Sequence, residues 1–138
     1  MDARSRTQTE VWVTYSGYII AWFCFLFIIQ WMNPPQRNVS ALIVVVFAVA
    51  AVCAIAAGFV MRKKLFAQST EALRGDPHKA LSGWKAAHII GFTCAMNVTI
   101  FGVALKFLGT DWLVSGILFA VGLGFLALWR PRSNLRPS

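Results

Sequence analysis

Asn97, Thr93 and His88 are the residues whose types could do chemistry, because each places a polar group inside the apolar stretch "HIIGFTCAMNVTIFGVALKF". A primary amide at Asn97 brings two donors and an acceptor into hydrocarbon, where each unpaired group is costly. It therefore needs a neighbouring helix, a second subunit or a water-filled path. Thr93 can return its hydroxyl to its own backbone. The reading taken for Asn97 is an interhelical clamp, with a conduction path as the competing one. His88, one turn inside the helix, serves as a polar link. With Cys94 and Met96 it has the ligand types of a soft-metal site, but spacings of six and two do not converge on one helix face. No metal and no cofactor is expected.

Catalysis has little to work with. The acidic residues are Asp2, Glu10, Glu71, Asp76 and Asp111, all in loops or near helix ends. No paired carboxylate, no CxxC and no phosphate-cradling glycine loop is present. Cys24, Cys53 and Cys94 fall in three different apolar blocks and are read as small packing residues.

The elements that must position these groups are long apolar helices. The chain has 138 residues, 58% of them hydrophobic, and a mean hydropathy of +0.64. Four blocks are long enough to cross about 30 Å of hydrocarbon: 12–32, 41–61, 84–108 and 112–129. The fold expected is all-α, an integral membrane protein with four transmembrane helices in two antiparallel hairpins and a cytoplasmic loop at 62–83. The first block is too long for a signal-peptide core and ends in Asn33–Pro34–Pro35 without a small-residue cleavage site, so it reads as a retained helix. Ser40 can cap the second helix, which continues through "RKKLFAQSTEALR" to Gly75; Asp76 and Pro77 read as the cap and first residue of the next.

A net charge of +8 would suggest nucleic acid in a soluble protein. Here the basic residues sit at helix ends, where membrane orientation explains them, and no nucleic acid is expected. Eleven of the thirteen Lys and Arg flank the termini and the 62–83 segment, leaving only Arg37 and Lys106 opposite. That bias places both termini in the cytoplasm of a bacterial inner-membrane protein. Trp12, Trp84 and Trp129 at one level, with Trp31 and Trp112 at the other, fit two aromatic belts. Trp22 alone lies within a span.

Small residues spaced by four allow close backbone approach and are the readable packing signal inside a bilayer. The stripes are Gly83, Ala87, Gly91, Ala95 and Thr99; Gly116, Ala120 and Gly124; Ala50, Ala54 and Gly58; and, on the first helix, Gly17 and Ala21. They imply a compact bundle or self-association. A short repeat, "FAVA" at Phe47 and "FAVG" at Phe119, fits two copies of a hairpin.

The stretch "FTCAMNVTIFGVALKFL" resembles the outer helix of the proteolipid c subunit of rotary ATP synthases. In that resemblance Asn97 stands where the family has its ion-carrying carboxylate, followed by "IFGVAL". An amide does not titrate, so the resemblance implies a helix that has kept packing and lost proton carriage. The layout is similar to small four-helix accessory proteins of the ATP synthase subunit i type. The expected function is a noncatalytic accessory or assembly subunit of a larger membrane complex, with the bilayer and other membrane subunits as partners. A small channel or facilitator is the alternative.

Overall fold

The computed structural model describes residues 2–131, which form four helices and no strand: α1 Ala3–Met32, α2 Ala41–Ala72, α3 Pro77–Leu108 and α4 Trp112–Leu128. Arg132 and Arg136, counted in the charge bias above, lie outside the described residues. Each helix starts on a side chain that occupies otherwise orphaned amides. Asp2 accepts from Ser5 N at 2.7 Å, Ser40 from Leu42 N at 3.3 Å, Asp76 from His78 N at 3.1 Å and Asp111 from Val114 N at 3.2 Å. Stops are equally local. Asn33 closes α1 at φ 40°, and Gly109 closes α3 at φ 112°, a left-handed geometry that glycine adopts without steric cost.

Segment 62–83, labelled a loop by its place between apolar blocks, is helical except at its centre, as the reading of "RKKLFAQSTEALR" and of the Asp76–Pro77 cap implied. Only 73–76 is non-helical there, and the flanking turns of α2 and α3 run on as a packed pair. Ser69 Oγ donates to the Ala80 carbonyl at 2.6 Å, and Gly83 lies against Ser69. The apolar block ends near Met61, but good helix formers and i,i+4 hydrogen bonding carry the helix further. Similarly, α1 begins nine residues before Trp12.

The second correction concerns pairing. α3 packs against α2, α4 and α1, whereas α1 and α2 share no packed seam. Residues 33–40 carry the chain across the end of α3 instead, where Arg37 N donates to Gly109 O at 2.9 Å. The expected first hairpin is therefore open, with α3 interposed. Burial records the same hierarchy: 50% of the apolar window of α3 is buried, against 11% for α1 and for α2. α1, α2 and α3 are long and apolar enough to cross a membrane; α4 is a shorter apolar helix of 17 residues.

The core lies around α3 and is aromatic. Phe92, Met96 and Trp84 meet Trp22 and Ile29 from α1, Phe119 and Leu126 from α4, and Trp129 just beyond it. Trp84 and Trp129 are thus core residues and not belt residues, whereas Trp12, Trp31 and Trp112 face outward. Cys24 and Cys53 also face outward and Cys94 is half-buried, so only the last packs between helices.

Candidate functional site

At 100° per residue, the neighbours of α3 occupy separate sectors of its surface. α2 lies over Gly83, Ala87, Gly91 and Cys94, and α4 over Ala95, Thr99 and Gly102. α1 lies over Lys85 and Phe92. One sector, between α1 and α2, remains uncovered. Asn97 stands in the middle of it.

Asn97 is exposed and, among the described residues, makes no side-chain hydrogen bond to another helix. Within the chain no interhelical clamp forms through Asn97, because the sector that it occupies has no helix over it. Thr93, one turn earlier in the same sector, donates its hydroxyl to Ile89 O at 2.9 Å. That commitment of its proton makes Tyr18 the donor in the 2.8 Å contact between the two hydroxyls. Tyr18, Thr93 and Asn97 thereby form a short polar line on an otherwise apolar surface.

His88 is not part of this line. Nine residues from Asn97, it points to the opposite side of α3 and is 2% exposed. Three rings surround it: Trp84 at 4.5 Å and Phe66 at 5.3 Å edge-on, and Phe92 at 5.9 Å stacked. A path through Thr93, Asn97 and His88 is therefore not assembled within one chain. No group of three or more His, Cys, Asp or Glu able to hold a metal occurs among the described residues.

The packing stripes divide by helix. On α3, Ala87, Gly91, Ala95 and Thr99 are buried. A Cβ at Gly91 would lie 2.6 Å from Arg62 Cδ, and one at Gly58 would lie 2.9 Å from Trp129 Cη2. Ala50 and Ala54 are half-buried alongside. On α4 the stripe is displaced: Gly116 and Gly124 have nothing within 4 Å and Ala120 is exposed, while Ser115, Phe119, Gly122 and Leu126 make the contact. Gly17 of α1 is also open, because α1 meets the core through the rings of Tyr15, Tyr18 and Trp22. Large knobs dominate there, with Ala21, the other expected small residue, packed half-buried against the core.

Several ties across the fold carry no motif. The Trp22 indole N–H donates to the Phe119 carbonyl at 3.1 Å, joining α1 to α4. At the end bearing both termini, the Arg62 guanidinium crosses Gly91 to lie 4.9 Å from the Trp129 ring centroid and 5.2 Å from that of Phe66. Lys85 pairs with Glu10 at 2.6 Å, tying α3 to α1. That ammonium holds the Glu10 carboxyl below its ordinary range. At the far end Lys106 is 5% exposed, donates to Thr110 O at 3.2 Å and lies 4.8 Å from the Trp112 ring centroid. The lone tryptophan inside a span was the signal available for the first of these ties.

No protein-family model, curated protein or solved structure matches this chain. Its reading rests on its own residues.

Proposed function

We propose that this chain is a noncatalytic integral membrane protein whose four helices span the bilayer, acting by lateral association as an accessory or assembly subunit of a larger membrane complex. The observation that carries this is where the apolar side chains point. Ile20, Phe23 and Phe27 on α1, Val45, Val49 and Val52 on α2, and Leu113 and Ile117 on α4 are all exposed. Contiguous apolar surface of this extent suits lipid or partner helices, not water. α4, at 17 residues, is at the short end of the lengths that span hydrocarbon, about 17–25 residues.

The charge bias sets the orientation, with both termini and the 73–76 turn in the cytoplasm, as in a bacterial inner membrane. The resemblance to the proteolipid helix and the subunit i layout supports an accessory role without ion carriage. Extraction in mild detergent followed by native mass spectrometry tests the reading. A stoichiometric second membrane protein is expected; a chain that leaves native membranes with no other protein bound would overturn it.

The alternative, a channel or facilitator, has one observation in its favour, the polar line of Tyr18, Thr93 and Asn97. On a single chain this line is open to the side and the interior is filled by Phe92, Met96 and Trp22. Flux through reconstituted vesicles, absent with Asn97→Leu and intact with Ile117→Leu, would favour it over the accessory reading.

A further inference from the structure

We infer that the uncovered sector of α3 is the self-association surface of this protein, where a second copy docks with its own α3 parallel to the first and Asn97 meets Asn97 of that copy. The inference rests on the membrane reading above and adds the partner to it. The residues along the uncovered sector are Ala86, Ile90, Thr93, Asn97, Ile100 and Ala104. Their separations run four, three, four, three, four, the alternation of a seam between supercoiled helices. Thr93, Asn97 and Ile100 are exposed, and Ala86, Ile90 and Ala104 are half-buried. An α3 packed on three sides therefore keeps a complete seam for a fourth neighbour.

Three features on this face select a second copy as that neighbour. Every copy enters the bilayer in the same orientation, so two copies are related by a two-fold axis along the membrane normal, and their α3 helices run parallel. Such an axis sets Asn97 at the same depth in both chains without further design. An amide carries both donor and acceptor, so two of them facing across the axis satisfy each other. A foreign helix would need its own polar group at that one depth. A single Asn within an apolar seam is also the device by which parallel helix pairs fix register and copy number.

The flanks fit as well. α1 and α2 lie on opposite sides of the seam, one marked by the contact of Tyr18 with Thr93 and the other by the stacking of Phe47 on Phe101. The two-fold rotation consequently sets α1 of each copy beside α2 of the other. The gap left by the open first hairpin is then filled from the partner.

Cysteine pairing in native membranes tests the inference directly. In a background lacking Cys24, Cys53 and Cys94, Ile90→Cys, Asn97→Cys and Ala104→Cys are oxidised with membrane-permeant iodine, with Val49→Cys and Ile117→Cys as lipid-facing controls. The seam positions should give a product of twice the chain mass, and the controls should not. A product with a different protein, no product at the seam, or equal products at Ile117 would overturn the inference. Asn97 is exposed and makes no side-chain hydrogen bond to another helix among the described residues, so Asn97→Leu should leave the fold intact by circular dichroism. It should raise the dissociation constant of the dimer, measured by energy transfer on dilution in vesicles, roughly ten-fold. An unchanged constant would remove the amide from the contact. Retention in the membrane after alkaline carbonate washing separates a failure of the membrane reading from a failure of the dimer.

Discussion

Gly122→Ala tests the packing of α4 on α3 at its tightest point. A Cβ at Gly122 would lie 3.1 Å from the Ala95 carbonyl oxygen and 3.3 Å from Thr99 N, and closer still to Thr99 Oγ1. The hydroxyl can rotate away, but the two backbone atoms cannot yield without separating the helices. Forced overpacking of this kind costs about 1–3 kcal/mol. Alanine returns about 0.5–1 kcal/mol through its better helix propensity. The expected net loss is about 1–2 kcal/mol, read as a lower unfolding midpoint in mild detergent followed by tryptophan fluorescence. Gly124→Ala, with nothing within 4 Å, keeps only the propensity gain and should unfold at the same temperature or slightly higher. Adding Thr99→Ala to Gly122→Ala should recover part of the loss by removing the nearest atom. Equal losses from Gly122→Ala and Gly124→Ala would refute the placement of the α4 contact.

Other parts of the fold can be tested separately. Gly91→Ala pushes Arg62 off its ring contacts and should cost about 1 kcal/mol, with a shifted Trp129 emission; an unchanged melt and spectrum would show that Arg62 has room to spare. Trp22→Phe removes the bond to the Phe119 carbonyl and should cost about 0.5–1.5 kcal/mol, more than Trp31→Phe on the outer surface; equal effects would deny the tie between α1 and α4. Glu10 precedes the first span, and its lowered carboxyl adds stability that is complete above the ordinary carboxylate range. That stability disappears as pH falls through the depressed value. The melting temperature should therefore drop on acidification in the native chain and less so in Glu10→Gln; parallel pH curves would mean that the Lys85 pair contributes nothing.

Most helix ends were legible in the sequence, the start of α1 at Ala3 excepted, and position around each helix much less so. Caps and stops are local chemistry, so Asn33–Pro34–Pro35, Ser40, Asp76–Pro77 and Gly109 mark real boundaries of the fold. The stripe from Gly83 to Thr99 on α3 faces α2 and α4, where close backbone approach leaves room only for small side chains. On α4 both Gly122 and the Gly116–Ala120–Gly124 row are small, and a helix that is apolar all round offers no polar face to choose between them. The choice is made by Thr99 and Ala95 on the facing helix. Trp84 and Trp129 illustrate the same limit: they stand near helix ends, where a belt is expected, yet both turn inward. Asn97 does too, since its position along α3 was plain and its direction was not. The ties from Arg62 to Trp129 and from Lys85 to Glu10 span long sequence separations between common residue types, and no local pattern announces them.

Lateral association in the bilayer requires the chain to cross it, and the charge bias puts the 73–76 turn inside and residues 33–40 outside. In a background lacking Cys24, Cys53 and Cys94, a single cysteine at Asn38 or at Gly75 can be probed with an impermeant maleimide on intact cells and again after permeabilisation. Asn38→Cys should be labelled in intact cells, and Gly75→Cys only once the membrane is opened. Labelling of Gly75→Cys in intact cells, or recovery of the chain in the soluble fraction, would contradict the account.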